Sequence, residues 1–115
     1  MRYEVKKLSK IIDEVVTYFV YVLECPQFEL NYTLTDAAYT LDFTFQGAGI
    51  TPSTLHQLRA HLRGHRQPEL EDYYWQLMGN TEEAGALGLV SMMVDEAKLE
   101  HEGETIRLSL RRNRT

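Results

Sequence analysis

The sequence predicts an α+β fold: a two-layer sandwich with a mixed, mostly antiparallel sheet and helices on one face. Three observations predict it. Apolar residues recur at intervals of three and four from Val5 to Leu23, the signature of an amphipathic helix. They recur at intervals of two over 28–34, 39–45 and 106–110, the signature of half-buried strands. Finally, the predicted order is helix, two strands, helices, two strands, which a layered α+β arrangement accommodates with short connections.

The first helix places Val5, Leu8, Ile11, Ile12, Val15, Val16, Phe19, Val20 and Leu23 on one broad face, with Lys6, Lys7, Lys10, Asp13 and Glu14 on the remainder. It should stop near Glu24, because Pro26 disfavours helical geometry at Cys25. Phe28, Leu30, Tyr32 and Leu34 then alternate with polar residues, as do Tyr39, Leu41, Phe43 and Phe45. The link 35–38 joins them into an antiparallel hairpin with one face buried, covered by the first helix. Gly47 and Gly49 end the second strand. Thr51 caps the next helix with Pro52 at its first position, and that helix runs to about Leu62. Gly64 to Pro68 breaks it. A short helix follows, carrying Leu70, Tyr73, Tyr74 and Leu77. Thr81, Glu82 and Glu83 open a further helix, with acids suited to the positive end of its dipole. Residues 97–101 form a strand, 102–104 a turn, and Thr105 to Arg112 the last strand.

The chain of 115 residues fits one domain, spanning 1–115. Its 17 acidic against 12 basic residues leave a formal charge of -5. That argues against nucleic acid as a partner, since dedicated binders are basic. The single cysteine, Cys25, excludes an intramolecular disulfide and favours a reducing compartment. There is neither an apolar run near the ~20 residues of a membrane span nor an uncharged signal-peptide core. A cytoplasmic protein without membrane attachment is expected.

Residues 41–50, Leu-Asp-Phe-Thr-Phe-Gln-Gly-Ala-Gly-Ile, lead into the helix at Thr51-Pro52. Farther on come Gly85-Ala86-Leu87-Gly88-Leu89-Val90 and the closing stretch Gly103 to Leu108. In this order, with the first helix ahead of them, these elements resemble the glycine boxes and closing strand of the histidine-kinase-like (GHKL, or Bergerat) ATPases. The bacterial anti-sigma-factor kinases are the branch nearest in size, although the N-terminal strand they usually carry has no counterpart here. The resemblance covers roughly residues 5–112 and rests on order and spacing, not on any single motif.

The resemblance implies a nucleotide site. The family's N-box glutamate, which orients the attacking water, falls on Glu14. Its Mg²⁺-holding asparagine falls on Tyr18, a poor ligand. Its adenine-reading aspartate falls on Phe45, which accepts no hydrogen bond. Gly47 and Gly49 match the first glycine box. Gly88 matches the second, with Ala86 replacing the middle glycine and the first either displaced onto Gly85 or replaced by Ala84. Asp42 and Asn31 are alternative polar groups, but alternation turns both away from the apolar face.

These departures imply a degenerate member, with the scaffold kept, no cofactor, and a regulatory protein partner of sigma-factor, antagonist or response-regulator type. A functional kinase with altered ligands is the alternative. It would bind ATP and Mg²⁺, with Glu14 as base and Gly47, Gly49 and Gly88 at the phosphates. An unrelated α+β interaction module is the third.

Other residues carry plainer readings. Tyr73, Tyr74 and Trp75 cannot all face one core, so they are interface candidates. The apolar circumference of the first helix, including Tyr18 and Tyr21, also admits a homodimer. His61 and His65 have a metal-ligand spacing without a third ligand, so no metal site is assigned. His56, Arg59, His61, Arg63, His65 and Arg66 read as a solvated basic face, and Arg107, Arg111, Arg112 and Arg114 as a second basic cluster without interleaved aromatics. Met92 and Met93 read as core fillers, and Cys25 as structural.

Overall fold

The computed structural model describes residues 2–47, 49–64, 66, 67, 69 and 85–114, with side chains at 4–47 and from 87 in the last stretch. Helix α1 (Arg2–Val16) continues directly into a π-helical segment (Thr17–Val22). Strands β1 (Gln27–Leu34) and β2 (Ala38–Gln46) follow, then α2 (Pro52–His61), α3 (Gly85–Ser91), β3 (Glu96–Glu102) and β4 (Thr105–Asn113). The helix expected over 70–77 and the capping residues 81–83 lie outside the described residues.

The strands form one sheet in the order β1-β2-β4-β3, and all three pairings are antiparallel. Tyr39, Leu41, Phe43 and Phe45 of β2 and Ile106, Leu108 and Leu110 of β4 face one way. They share one core with Leu8, Ile11, Val15, Tyr18 and Phe19, with Leu58 of α2 and Leu62 just after it, and with Leu87 and Val90 of α3. The opposite face carries no cover from these helices. There Glu96 stands opposite Arg111 and Glu100 opposite Arg107 in the strand register, and the Ser109 hydroxyl donates to Asp42 at 2.7 Å. The result is the expected two-layer α+β sandwich.

Local chemistry sets the turns. The Thr35 hydroxyl accepts from the Ala37 and Ala38 amides, closing a tight loop between β1 and β2. Thr51 accepts from the Thr54 amide at 3.1 Å and caps α2, with Pro52 at the first position. Gly103 opens the two-residue β3–β4 turn at φ +62°, a conformation that favours glycine.

Four expectations need correction. The first helix does not run as a regular α-helix to Glu24. Its last stretch widens, with the Leu23 amide reaching back to the Tyr18 carbonyl at 3.1 Å, and Glu24 ends it at φ +53°. Second, Val5 and Val20 are exposed and do not join the buried face of that helix. Third, β1 does not bury its apolar side: Phe28, Tyr32 and Leu34 remain exposed, because the helical layer lies over β2 and β4.

The fourth is the basic cluster at the end of the chain. Arg112 continues the inward row of Ile106, Leu108 and Leu110 and is only 2% exposed. Its guanidinium binds Glu4 at 2.8 Å and donates to the Met93 carbonyl at 2.7 Å. Arg114 instead lies over the Tyr39 ring. The arginines therefore do not form one solvated patch.

Candidate functional site

The residues singled out by the resemblance divide into a packed aromatic group and a set of glycines. Tyr18 begins the widened turn one residue before Phe19, and both rings are buried. Their rings meet edge to face with centroids 5.6 Å apart. Phe45, fully buried on β2, stacks on Phe19 at 3.9 Å with the planes 10° from parallel. Phe28 and Phe43 add further ring contacts to Phe45 at 5.7 Å each. Tyr18 and Phe45 thus meet through Phe19, and the stack leaves no slot for a planar ligand between the Phe19 and Phe45 rings.

Burial also sets the chemistry here. Desolvation raises the Tyr18 phenol above its ordinary value of 10.0. A neutral phenol is a weak cation ligand, so this position holds no ready Mg²⁺ donor. Glu14, one turn earlier, does not lie on the solvent side of the helix with Lys6 and Asp13 as expected: it is buried and partnered.

The glycines serve different ends. Gly47 has φ +80°, and an added Cβ would lie 2.8 Å from the Pro26 ring. Its amide donates to the Glu104 carbonyl at 3.0 Å, so this N–H is already used within the fold. Gly49 and Gly88 have open space where a Cβ would stand, among the described residues. The Gly88 carbonyl accepts from the Ser91 hydroxyl at 2.7 Å. A Cβ at Gly64 would meet the Ser91 hydroxyl, which would have to rotate away. Gly85 is the first residue of α3. Tyr73, Tyr74 and Trp75 lie outside the described residues, as does His65.

Among the described residues no group of three His, Cys, Asp or Glu side chains could hold a metal ion. Nor is any helix there long and apolar enough to cross a membrane. The described surface grooves lie elsewhere: across the polar sheet face between Asp42 and Glu100, along α1 at Lys6 and Asp13, and between α2 and β3 at Arg59 and Ala97.

Two of the basic residues around α2 make contacts within the fold, while His56 and Arg63 are exposed. Arg66 pairs with Asp95 at 2.9 Å and donates to the Asn113 carbonyl. Arg59 reaches the Leu99 carbonyl at 3.4 Å. Two features escaped sequence reasoning. The alternation along β4 was a usable signal for Arg112, but no residue type signals the π-helical widening. In comparisons with protein-family models, curated proteins and solved structures, the chain finds no match.

Proposed function

We propose that the chain is a regulatory protein-binding domain built on a histidine-kinase-like ATPase scaffold whose nucleotide site has closed. It acts in the cytoplasm on a protein partner of sigma-factor, antagonist or response-regulator type. One observation carries the reading: the Phe45 ring, where the resemblance expects an adenine acceptor, is stacked on Phe19 within the core. The neutral Tyr18 phenol in place of a Mg²⁺ ligand, and the committed Gly47 amide, support it.

The open space at Gly49 and Gly88 favours a second reading, in which a kinase-type site still accepts ATP and Mg²⁺ through altered ligands. Thermal unfolding with and without millimolar ATP and Mg²⁺ separates the two. A ligand at 100 times its Kd adds ~2.7 kcal/mol of stability, a rise of several degrees for a domain of this size. The closed-site reading expects a shift below about 1 °C. A rise of several degrees that Gly88→Trp removes would overturn it.

A further inference from the structure

Strand β1 is an edge of the sheet, and it is built unlike the other edge. Strand β3 carries Glu96, Lys98, Glu100 and Glu102 on its seven residues. Such charges discourage a second chain from pairing there. Among the described residues, strand β1 carries neither a proline nor a bulge over its unbroken eight-residue register with β2, and Glu29 is its single charge.

The apolar side of β1 is also only partly covered, at Leu30 and where Phe28 meets Phe45. Phe28, Leu30, Tyr32 and Leu34 stand opposite Phe45, Phe43, Leu41 and Tyr39, so they point to the helix-bearing face. Yet Tyr32 is 52% and Leu34 48% exposed, and Phe28 is exposed too. Val20, Tyr21 and Val22, just ahead of β1 in the chain, are exposed as well, Tyr21 at 68%. With aromatic side chains each burying ~150–250 Å², these residues present on the order of 500 Å² of apolar surface. That approaches the ~800 Å² per partner of a stable interface before the strand's own backbone edge is added.

We propose that the occupant is a second copy of this chain, with β1 pairing antiparallel to its counterpart across a two-fold axis normal to the sheet. The two sheets become one, of eight strands, with both helical layers on the same side. The strand is self-complementary for this. A register centred on Leu30 sets Phe28 opposite Tyr32 twice, and one centred on Asn31 sets Phe28 opposite Leu34 and Leu30 opposite Tyr32. Both keep the apolar residues on one face, and neither sets Glu29 against its copy. The inference supplies a partner for the protein-binding reading and uses no part of the nucleotide argument, so either can fail without the other.

Light scattering and sedimentation on the full chain, with amide hydrogen exchange, test it. The expected particle has twice the 13.4 kDa chain mass and dissociates on dilution, and β1 amides lose protection as it does so. Tyr32→Lys should weaken association at least about tenfold, while His101→Gln on the far edge, which keeps the formal charge at -5, leaves it unchanged. Circular dichroism checks that Tyr32→Lys is folded, and Leu34→Glu serves if it is not. A monomer at all concentrations, a dimer indifferent to both β1 substitutions, or a dimer whose β1 amides exchange freely would each overturn the proposal.

Discussion

Gly47 and Gly49 stand two residues apart and are held by different constraints. Gly47 combines φ +80° with a close approach to Pro26, so Gly47→Ala should cost about 1–2 kcal/mol from left-handed backbone strain, and more if the Pro26 ring cannot shift. At Gly49 an alanine meets nothing among the described residues, and φ is not in the left-handed region. Gly49→Ala should be neutral or stabilise by up to ~1 kcal/mol, by restricting the unfolded chain. Urea unfolding of both variants checks the contrast, and equal losses at the two positions would contradict it. Tyr18 makes a second residue-scale prediction. Its folded-state pKa is raised by burial, so the neutral phenol is favoured in the folded protein. Its contribution is fully present below the ordinary value of 10.0 and is lost as pH climbs through that value toward the folded one. Tyr18→Phe should therefore flatten the fall in thermal midpoint on going from pH 9 to pH 11, ~1–2 pH units around the tyrosine range.

At the scale of elements, two ion pairs illustrate how burial decides value. Arg112 on β4 is enclosed and clasps Glu4 of α1, joining the start of the helix to the sheet. Glu4→Ala should cost ~3 kcal/mol, because it strips a partner from a buried guanidinium. The Glu96–Lys98 contact on β3 is 3.9 Å long and well exposed, so Glu96→Ala should change stability by less than about 0.5 kcal/mol. Denaturant titration of the two variants measures the difference. Much of this level was legible in the sequence. The Thr51–Pro52 start of α2, the β1–β2 loop at Thr35 and the Gly103 turn all rest on bonds between near neighbours, which residue types announce. The π-helical segment was not legible, since it depends on how the helix is terminated at Glu24 and Cys25 ahead of Pro26. The side chains of β1 announced which way they face, but periodicity says nothing about how far the opposing layer extends.

For the molecule as a whole, the element order led to the layered architecture, while the strand order β1-β2-β4-β3 and the antiparallel sense of every described pairing became visible only in the structure. At the candidate site, Phe45 and Tyr18 were recognisable as aromatic in place of polar groups. Their joint contact with Phe19 was not, because it needs the widened helical turn and β2 to meet in space. Net charge adds a whole-molecule prediction. Each copy carries a formal charge of -5, yet the strand proposed to pair holds a single acid. Mutual repulsion at long range should oppose association, so raising ionic strength, which shortens the ~10 Å screening length at 0.1 M, should tighten the dimer. Sedimentation at low and moderate salt checks this, and weakening with added salt would point to a charge-complementary contact instead.

Cys25 sits where β1 begins and β2 ends. Its thiol lies 3.2 Å from the carbonyls of both Gln27 and Gln46, and it is almost fully enclosed. Those two acceptors belong to adjacent strands, so the sulfur loses its shelter only when that corner comes apart. Thiol reagents should therefore reach Cys25 only in molecules whose outermost strand has lifted at its root, so the extent of alkylation should report that opening.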